Sequence, residues 1–195
     1  MKIFLKLTTI ILFPFIIGFS LPDNKPGFFF DDLNPDHLDG PFTGGFGELT
    51  CHNCHFDYDI NMQGGRLVLD GISEPYIPKK VYQITVTVES ERLRNGGFQM
   101  TARFEDGTQA GSFDWQGDKL MFTPSISDQV MYLQHSVNGT RPTSNQQISW
   151  TFSWRAPAET NSPVIFNIAA NAGNDDDSAF GDWIYVKERT LSPKH

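Results

Sequence analysis

The sequence predicts an all-β fold, an antiparallel β-sandwich, on three observations. Apolar and polar residues alternate with a period of two in successive runs beyond Arg66, the pattern of half-buried strands. Clusters of Gly, Asn, Asp and Pro separate these runs at short intervals. No amphipathic helix of about ten residues or more is apparent.

At the N-terminus, Lys2 and Lys6 precede an apolar run from Ile10 to Ile17, and Gly18 and Ser20 follow it. This is the pattern of a secretory signal peptide over residues 1–20. The run is too short for a membrane span and Pro14 interrupts it. Residues 21–50 form an extended lead-in. Pro22, Pro26, Pro35 and Pro41 break any helix, and Gly40, Gly44, Gly45 and Gly47 permit tight turns. Phe28, Phe29, Phe30, Phe42 and Phe46 are too many aromatics for a free linker, so they are expected to pack on the body of the domain or on a bound group.

The sandwich is expected over residues 51–190. Tyr82, Ile84, Val86 and Val88 share one face against Gln83, Thr85 and Thr87. Phe98, Met100, Ala102 and Phe104 repeat the pattern, as do Trp150, Phe152 and Trp154, then Val164, Phe166 and Ile168. A last apolar strand is expected around Trp183 to Val186. Asn95-Gly96-Gly97, Asp106-Gly107, Asn138-Gly139 and Ala156-Pro157 read as the intervening turns.

Cys51-His52-Asn53-Cys54-His55 carries the chemistry, and it holds both cysteines of the chain. Two thiols three positions apart can each form a thioether with a haem vinyl group. The histidine after the second thiol then serves as proximal iron ligand. Covalent haem c at Cys51, Cys54 and His55 is therefore expected, and export from the cytoplasm agrees with it. Two other uses of the pair stay open. One is a bare or redox disulfide, although redox Cys-x-x-Cys pairs open a helix in a βαβ unit and none is visible. The other is zinc held by Cys51, Cys54 and two of His52, His55 and His135, although no second close Cys/His pair is present.

His135 is the candidate for the sixth iron ligand. In a strand, Met131, Leu133 and His135 fall on one face, opposite Val130, Tyr132 and Gln134, which puts the imidazole on the apolar side. The competing reading is a strand-end histidine bonded to a backbone carbonyl. His52 tends to point away from the iron, while His37 in the lead-in and the terminal His195 are weaker candidates. Met62, Met100, Met121 and Met131 could offer axial sulfur, but methionine in such runs is more often core.

The wider pattern has a family likeness. Thr43-Gly44-Gly45-Phe46-Gly47-Glu48-Leu49-Thr50, running into the Cys51–His55 motif, resembles the opening of the bacterial Reeler-like domains named choice-of-anchor V. Landmarks at 81–88, 97–100, 110–113, 132–135 and 150–157, and the Asn171-Ala172-Gly173-Asn174 run ending in Gly181-Asp182, follow in the same order. The resemblance spans about residues 43–186. It implies an immunoglobulin-like sandwich related to the reelin N-terminal domain, with a histidine at the position of His135. The chain stops at Lys194-His195 with no hydrophobic tail, so a freely soluble exported product, periplasmic or secreted, is expected.

Charge narrows the partners. The formal net charge is −8, and loss of Lys2 and Lys6 with the leader takes it to −10. That argues against nucleic acid and against anionic membrane surfaces. Asn174-Asp175-Asp176-Asp177-Ser178 with Asp182 crowds oxygen donors into one loop, as calcium sites do. The spacing does not fit an EF-hand, and a solvated acidic turn is the expected reading. No Gly-x-Ser-x-Gly, His-Glu-x-x-His or phosphate-cradling loop is present, so no catalytic residue is assigned. Two function classes follow. One is an exported monohaem cytochrome, bis-histidine ligated through His55 and His135, that exchanges electrons with a redox partner protein. The other is an extracellular adhesion or ligand-binding module in which haem, zinc or a disulfide is structural.

Overall fold

Strands form where the period-two pattern is longest. The computed structural model describes residues 40–123, 129–158 and 162–194. The expected signal peptide, Phe28 to Phe30, His37 and His195 lie outside the described residues. Among them the strands are β1 (Gly65–Asp70), β2 (Val81–Ser90), β3 (Asn95–Phe104), β4 (Ser112–Asp114), β5 (Leu120–Phe122), β6 (Leu133–His135), β7 (Gln147–Arg155), β8 (Val164–Gly173) and β9 (Trp183–Leu191).

All pairings are antiparallel. One sheet has the order β1-β2-β7-β4 and the other β5-β6-β3-β8-β9. The architecture is the expected antiparallel sandwich. The inward residues of the alternating runs, Ile84, Val86, Val88, Met100, Phe152, Phe166 and Ile168, are all fully buried. Two aromatic contacts tie the sheets together: Trp154 meets Phe166 edge-on at 4.9 Å, and Phe98 lies 4.5 Å from Trp150. Such pairs contribute about 0.5–1.5 kcal/mol each beyond the area they bury.

Three features depart from the sequence reading. β1, β4 and β5 are too short, or too mixed in pattern, to stand out from periodicity. β9 runs on to Leu191, beyond the apolar stretch that signalled it. Gly96 and Gly97, expected in a turn, lie inside β3 and pair with Ala172 and Asn171. Their glycine character answers crowding rather than chain reversal. A Cβ at Gly96 would stand 2.9 Å from the Asn171 carbonyl oxygen, and one at Gly97 would meet the His135 ring.

β3 is buried on both faces, not one. Gln99, Thr101 and Arg103, on its polar face, are only 4%, 0% and 4% exposed. The segment from Gly40 to Thr50 covers them. The Phe42 N–H donates to Gln99 Oε1 at 2.6 Å, and Gln99 Nε2 donates to the Gly40 carbonyl at 2.8 Å. Arg103 Nη1 pairs with Glu48 Oε1 at 2.6 Å, and Tyr132 donates its phenol to the same oxygen at 2.6 Å. Phe46 lies over the Arg103 guanidinium at 4.2 Å. A charge this buried persists only when paired. The Glu48–Arg103 pair thus pins the lead-in across the outer face of the five-stranded sheet. Among the described residues, no helix is long and apolar enough to cross a membrane.

Candidate functional site

The Cys-x-x-Cys-His motif is held in a tight 3-10 turn, Cys51–Asn53, whose start is capped on both sides. The Thr50 hydroxyl accepts from the His52 N–H at 3.2 Å, and Asn53 Oδ1 accepts from the Thr50 N–H at 3.0 Å. This reciprocal arrangement satisfies two backbone donors and fixes the turn. The Cys54 and His55 N–H groups then donate to the Cys51 carbonyl at 3.2 and 3.0 Å. The effect is to fold Cys54 and His55 back beside Cys51. His52 points elsewhere, its Nε2 lying 2.9 Å from the Tyr58 carbonyl, as the sequence suggested.

The turn borders a cleft of about 450 Å3 on the outer face of β3. That lies within the roughly 300–1,000 Å3 of ordinary cofactor pockets. Cys51, Cys54, His55 and His135 all line it, together with Phe42, Gly96, Gly97, Gln99, Asn171 and Asp182. The two halves of the predicted site, eighty positions apart in sequence, therefore meet in one cavity. Among the described lining residues there is no methionine, and Met100 lies fully buried in the core.

His135 reaches the cleft by a route the alternation does not predict. Strand geometry would put it with Leu133 on the apolar side. The β6–β3 ladder instead ends at Gln134 opposite Gln99, and Met131 lies outside the strand. The His135 ring takes the outer side of β3, in the space where Gly97 lacks a side chain. A Cβ on Gly97 would stand 2.5 Å from His135 Cε1 and 2.7 Å from Nε2. His135 Nδ1 lies 3.1 Å from both the N and the O of Phe98, so the imidazole continues the ladder through its side chain. A backbone contact was the competing expectation for this histidine. The structure has that contact and the cleft position together.

His55 is oriented by a carboxylate. Its Nδ1 lies 2.8 Å from Asp182 Oδ2, and Asp182 is 4% exposed. Asn171 Nδ2 donates to the same oxygen at 3.0 Å, and the Asn174 N–H donates to Oδ1 at 3.0 Å. Burial pushes the Asp182 carboxyl upward, but the bonds from His55, Asn171 and Asn174 outweigh it and hold the group below the usual carboxylate range. Nothing in the sequence pairs Asp182 with His55. The only hint was the Gly181-Asp182 landmark itself.

The cysteines are free thiols, Cys54 the more exposed. Burial, reinforced by Cys54, pushes the Cys51 thiol up to about 12, so it is uncharged at neutral pH. Among the described residues, no three His, Cys, Asp or Glu side chains converge as a metal-ion site. The acidic loop is internally bonded: Asn174 Nδ2 donates to Asp176 at 2.9 Å, the Ser178 N–H donates to Asp176 at 3.0 Å, and Arg141 pairs with Asp175 at 3.3 Å. Beside the cleft, Phe56 and Phe180 pack edge-on at 5.8 Å, although each is more than half exposed.

No family model matches this sequence, and no curated protein matches it. Solved structures similar to it include the Reelin-N domain of F-spondin, 17% identical with a TM-score of 0.49, covering 70% of this chain and 91% of that chain. The human F-spondin reeler domain is also similar, 17% identical with a TM-score of 0.47, covering 70% and 93%. A cohesin module from a Clostridium perfringens family 33 glycoside hydrolase is 10% identical with a TM-score of 0.42, covering 68% of this chain and 100% of that module.

Proposed function

We propose that this chain is an exported, non-catalytic β-sandwich module that binds one covalent haem c in the cleft beneath the Cys51–His55 turn. One observation carries the reading: Cys51, Cys54, His55 and His135 line the same cavity. The lining also suits such a group, because Gly97 lets the His135 ring lie against β3 in the same cleft as the thiols and His55. Cys51 and Cys54 would anchor it. Each thiol adds across a vinyl group, breaking S–H and the C=C π bond and forming S–C and C–H, with no oxidant consumed. His55 would bind the iron through Nε2, since Nδ1 is engaged with Asp182. His135, held at Nδ1 by Phe98, would supply the sixth bond. Haem bound in this way supplies a one-electron couple, at lower potential than His/Met ligation gives.

Electron transfer to a partner protein is the role we assign to the cofactor, and the order of motifs resembles that of the choice-of-anchor V group. The exposed Phe56–Phe180 pair beside His55 offers a contact surface, and the Asp175–Asp177 rim favours a basic partner. A second reading has its own support. The lead-in is stitched to the sheet by Glu48 and Arg103 and by Gln99, as a structural staple would require. In that reading the module binds or adheres to an extracellular ligand and the haem only braces it.

Expression with the c-type maturation machinery, followed by a pyridine haemochrome spectrum, tests the haem. A covalent c-type spectrum is expected, and its absence removes both haem readings. Carbon monoxide added to the reduced protein tests the sixth ligand. Slow, partial conversion is expected, whereas rapid and full conversion would mean an open iron.

A further inference from the structure

We propose that Asp182 is the positioning residue of this site: its buried carboxylate sets which nitrogen of His55 faces the iron and lowers the reduction potential there. The inference rests on the haem reading above. Three observations support it. Asp182 Oδ2 lies 2.8 Å from His55 Nδ1, a distance suited to a charge-assisted hydrogen bond. Asp182 is 4% exposed and the His55 side chain 24%, so water screens the contact only from the histidine side. The carboxylate is itself held at both oxygens, by Asn171 Nδ2 and by the Asn174 N–H, each at 3.0 Å, so it cannot swing away without losing both.

A carboxylate on Nδ1–H requires the tautomer that leaves Nε2 as the ligating nitrogen. It also pushes electron density through the ring onto the iron and stabilises the more oxidised state. His135 Nδ1 meets the Phe98 peptide. Asn171 moderates the effect, because its Nδ2 draws on the same carboxylate oxygen.

The signs of two substitutions follow. In Asp182→Asn the anionic partner is gone, and the midpoint potential of the purified haem protein should rise. In Asn171→Ala the Oδ2 oxygen is left to His55 alone while Asn174 still holds Oδ1, and the potential should fall. General loosening of the cleft would admit water, stabilise the ferric charge and lower the potential in both variants, so the rise in Asp182→Asn is the discriminating result. Spectroelectrochemical titration of the two variants and the parent, each first checked by pyridine haemochrome, reads the shift. A parent without covalent haem overturns the haem reading and this inference with it. A haem-bearing Asp182→Asn protein whose potential is unchanged or lower overturns the inference alone. If Asp182→Asn fails to fold, a potential that rises or stays unchanged in Asn171→Ala overturns it.

Discussion

Gly97 illustrates how a single residue serves the site by what it lacks. Its missing side chain leaves the space into which the His135 ring folds, with 2.5 Å between the Cβ position and His135 Cε1. Gly97→Ala should therefore displace the imidazole and destabilise the fold by about 1–3 kcal/mol through overpacking. Urea denaturation measures the loss, and faster carbon monoxide uptake by the haem-loaded variant reports the displaced ring. Tyr132 shows a residue tuned by its surroundings. Burial first, and then the Glu48 carboxylate, push its phenol from the ordinary 10.0 to about 12. A raised folded value means the bond stabilises the protein fully below about pH 10, and the contribution is lost as pH rises through about 12. Tyr132→Phe should cost about 1 kcal/mol at neutral pH and flatten the loss of stability across that alkaline window, read from denaturation midpoints at successive pH values. The Cys51–His55 part of the site was legible residue by residue, since thiols and histidine sit in one pentapeptide. Asp182 and Asn171 were not, because their partnership with His55 spans more than a hundred positions and leaves no local pattern.

At the scale of elements, the lead-in is the decisive piece. Its described part, Gly40–Thr50, packs on the sheet, and nothing in the sequence marked it as the cover for the polar face of β3. Strand alternation distinguishes two faces, and it does not say whether the polar one meets water or another segment. Gln99 and Arg103 are polar residues at outward positions, and they are buried because Gly40–Thr50 lies over them. The Glu48–Arg103 pair fastens that cover, with side chains only 11% and 5% exposed. Glu48→Ala would leave Arg103 buried and unpaired and should cost about 3–5 kcal/mol. Chemical denaturation would show this, and the yield of covalent haem should fall in parallel as the Cys51 turn loses its anchor. A change under 1 kcal/mol in urea would mean that the guanidinium finds water instead. The 3-10 turn itself was predictable in part. Thr50 and Asn53 stand three apart, the spacing that lets each side chain cap the other's backbone.

For the molecule as a whole, core and site are separate. The core lies between the sheets around Trp150, Trp154, Phe98 and Phe166, whereas the cleft lies outside the five-stranded sheet. Trp154, fully buried against Tyr76, Tyr82 and Phe166, should cost about 3–5 kcal/mol when replaced by Ala. Cys51→Ala should leave the sandwich folded at a cost of about 1 kcal/mol, because the half-buried thiol lies outside the core, while abolishing the full covalent attachment. Near-ultraviolet circular dichroism and urea titration compare the two. A Cys51→Ala chain that simply unfolds would favour the structural reading of the haem.

The sequence by itself determined the all-β class and the long strands, and it singled out the Cys51–His55 motif, because each is written in neighbouring residues: period-two alternation, turn clusters and a five-residue spacing. Tertiary structure alone decided that β3 is covered on both faces, that Gly97 makes room for His135, and that Asp182 holds His55. Those depend on which distant segments pack together. Packing is settled by the sum of many contacts across the fold, and a local pattern does not encode that sum.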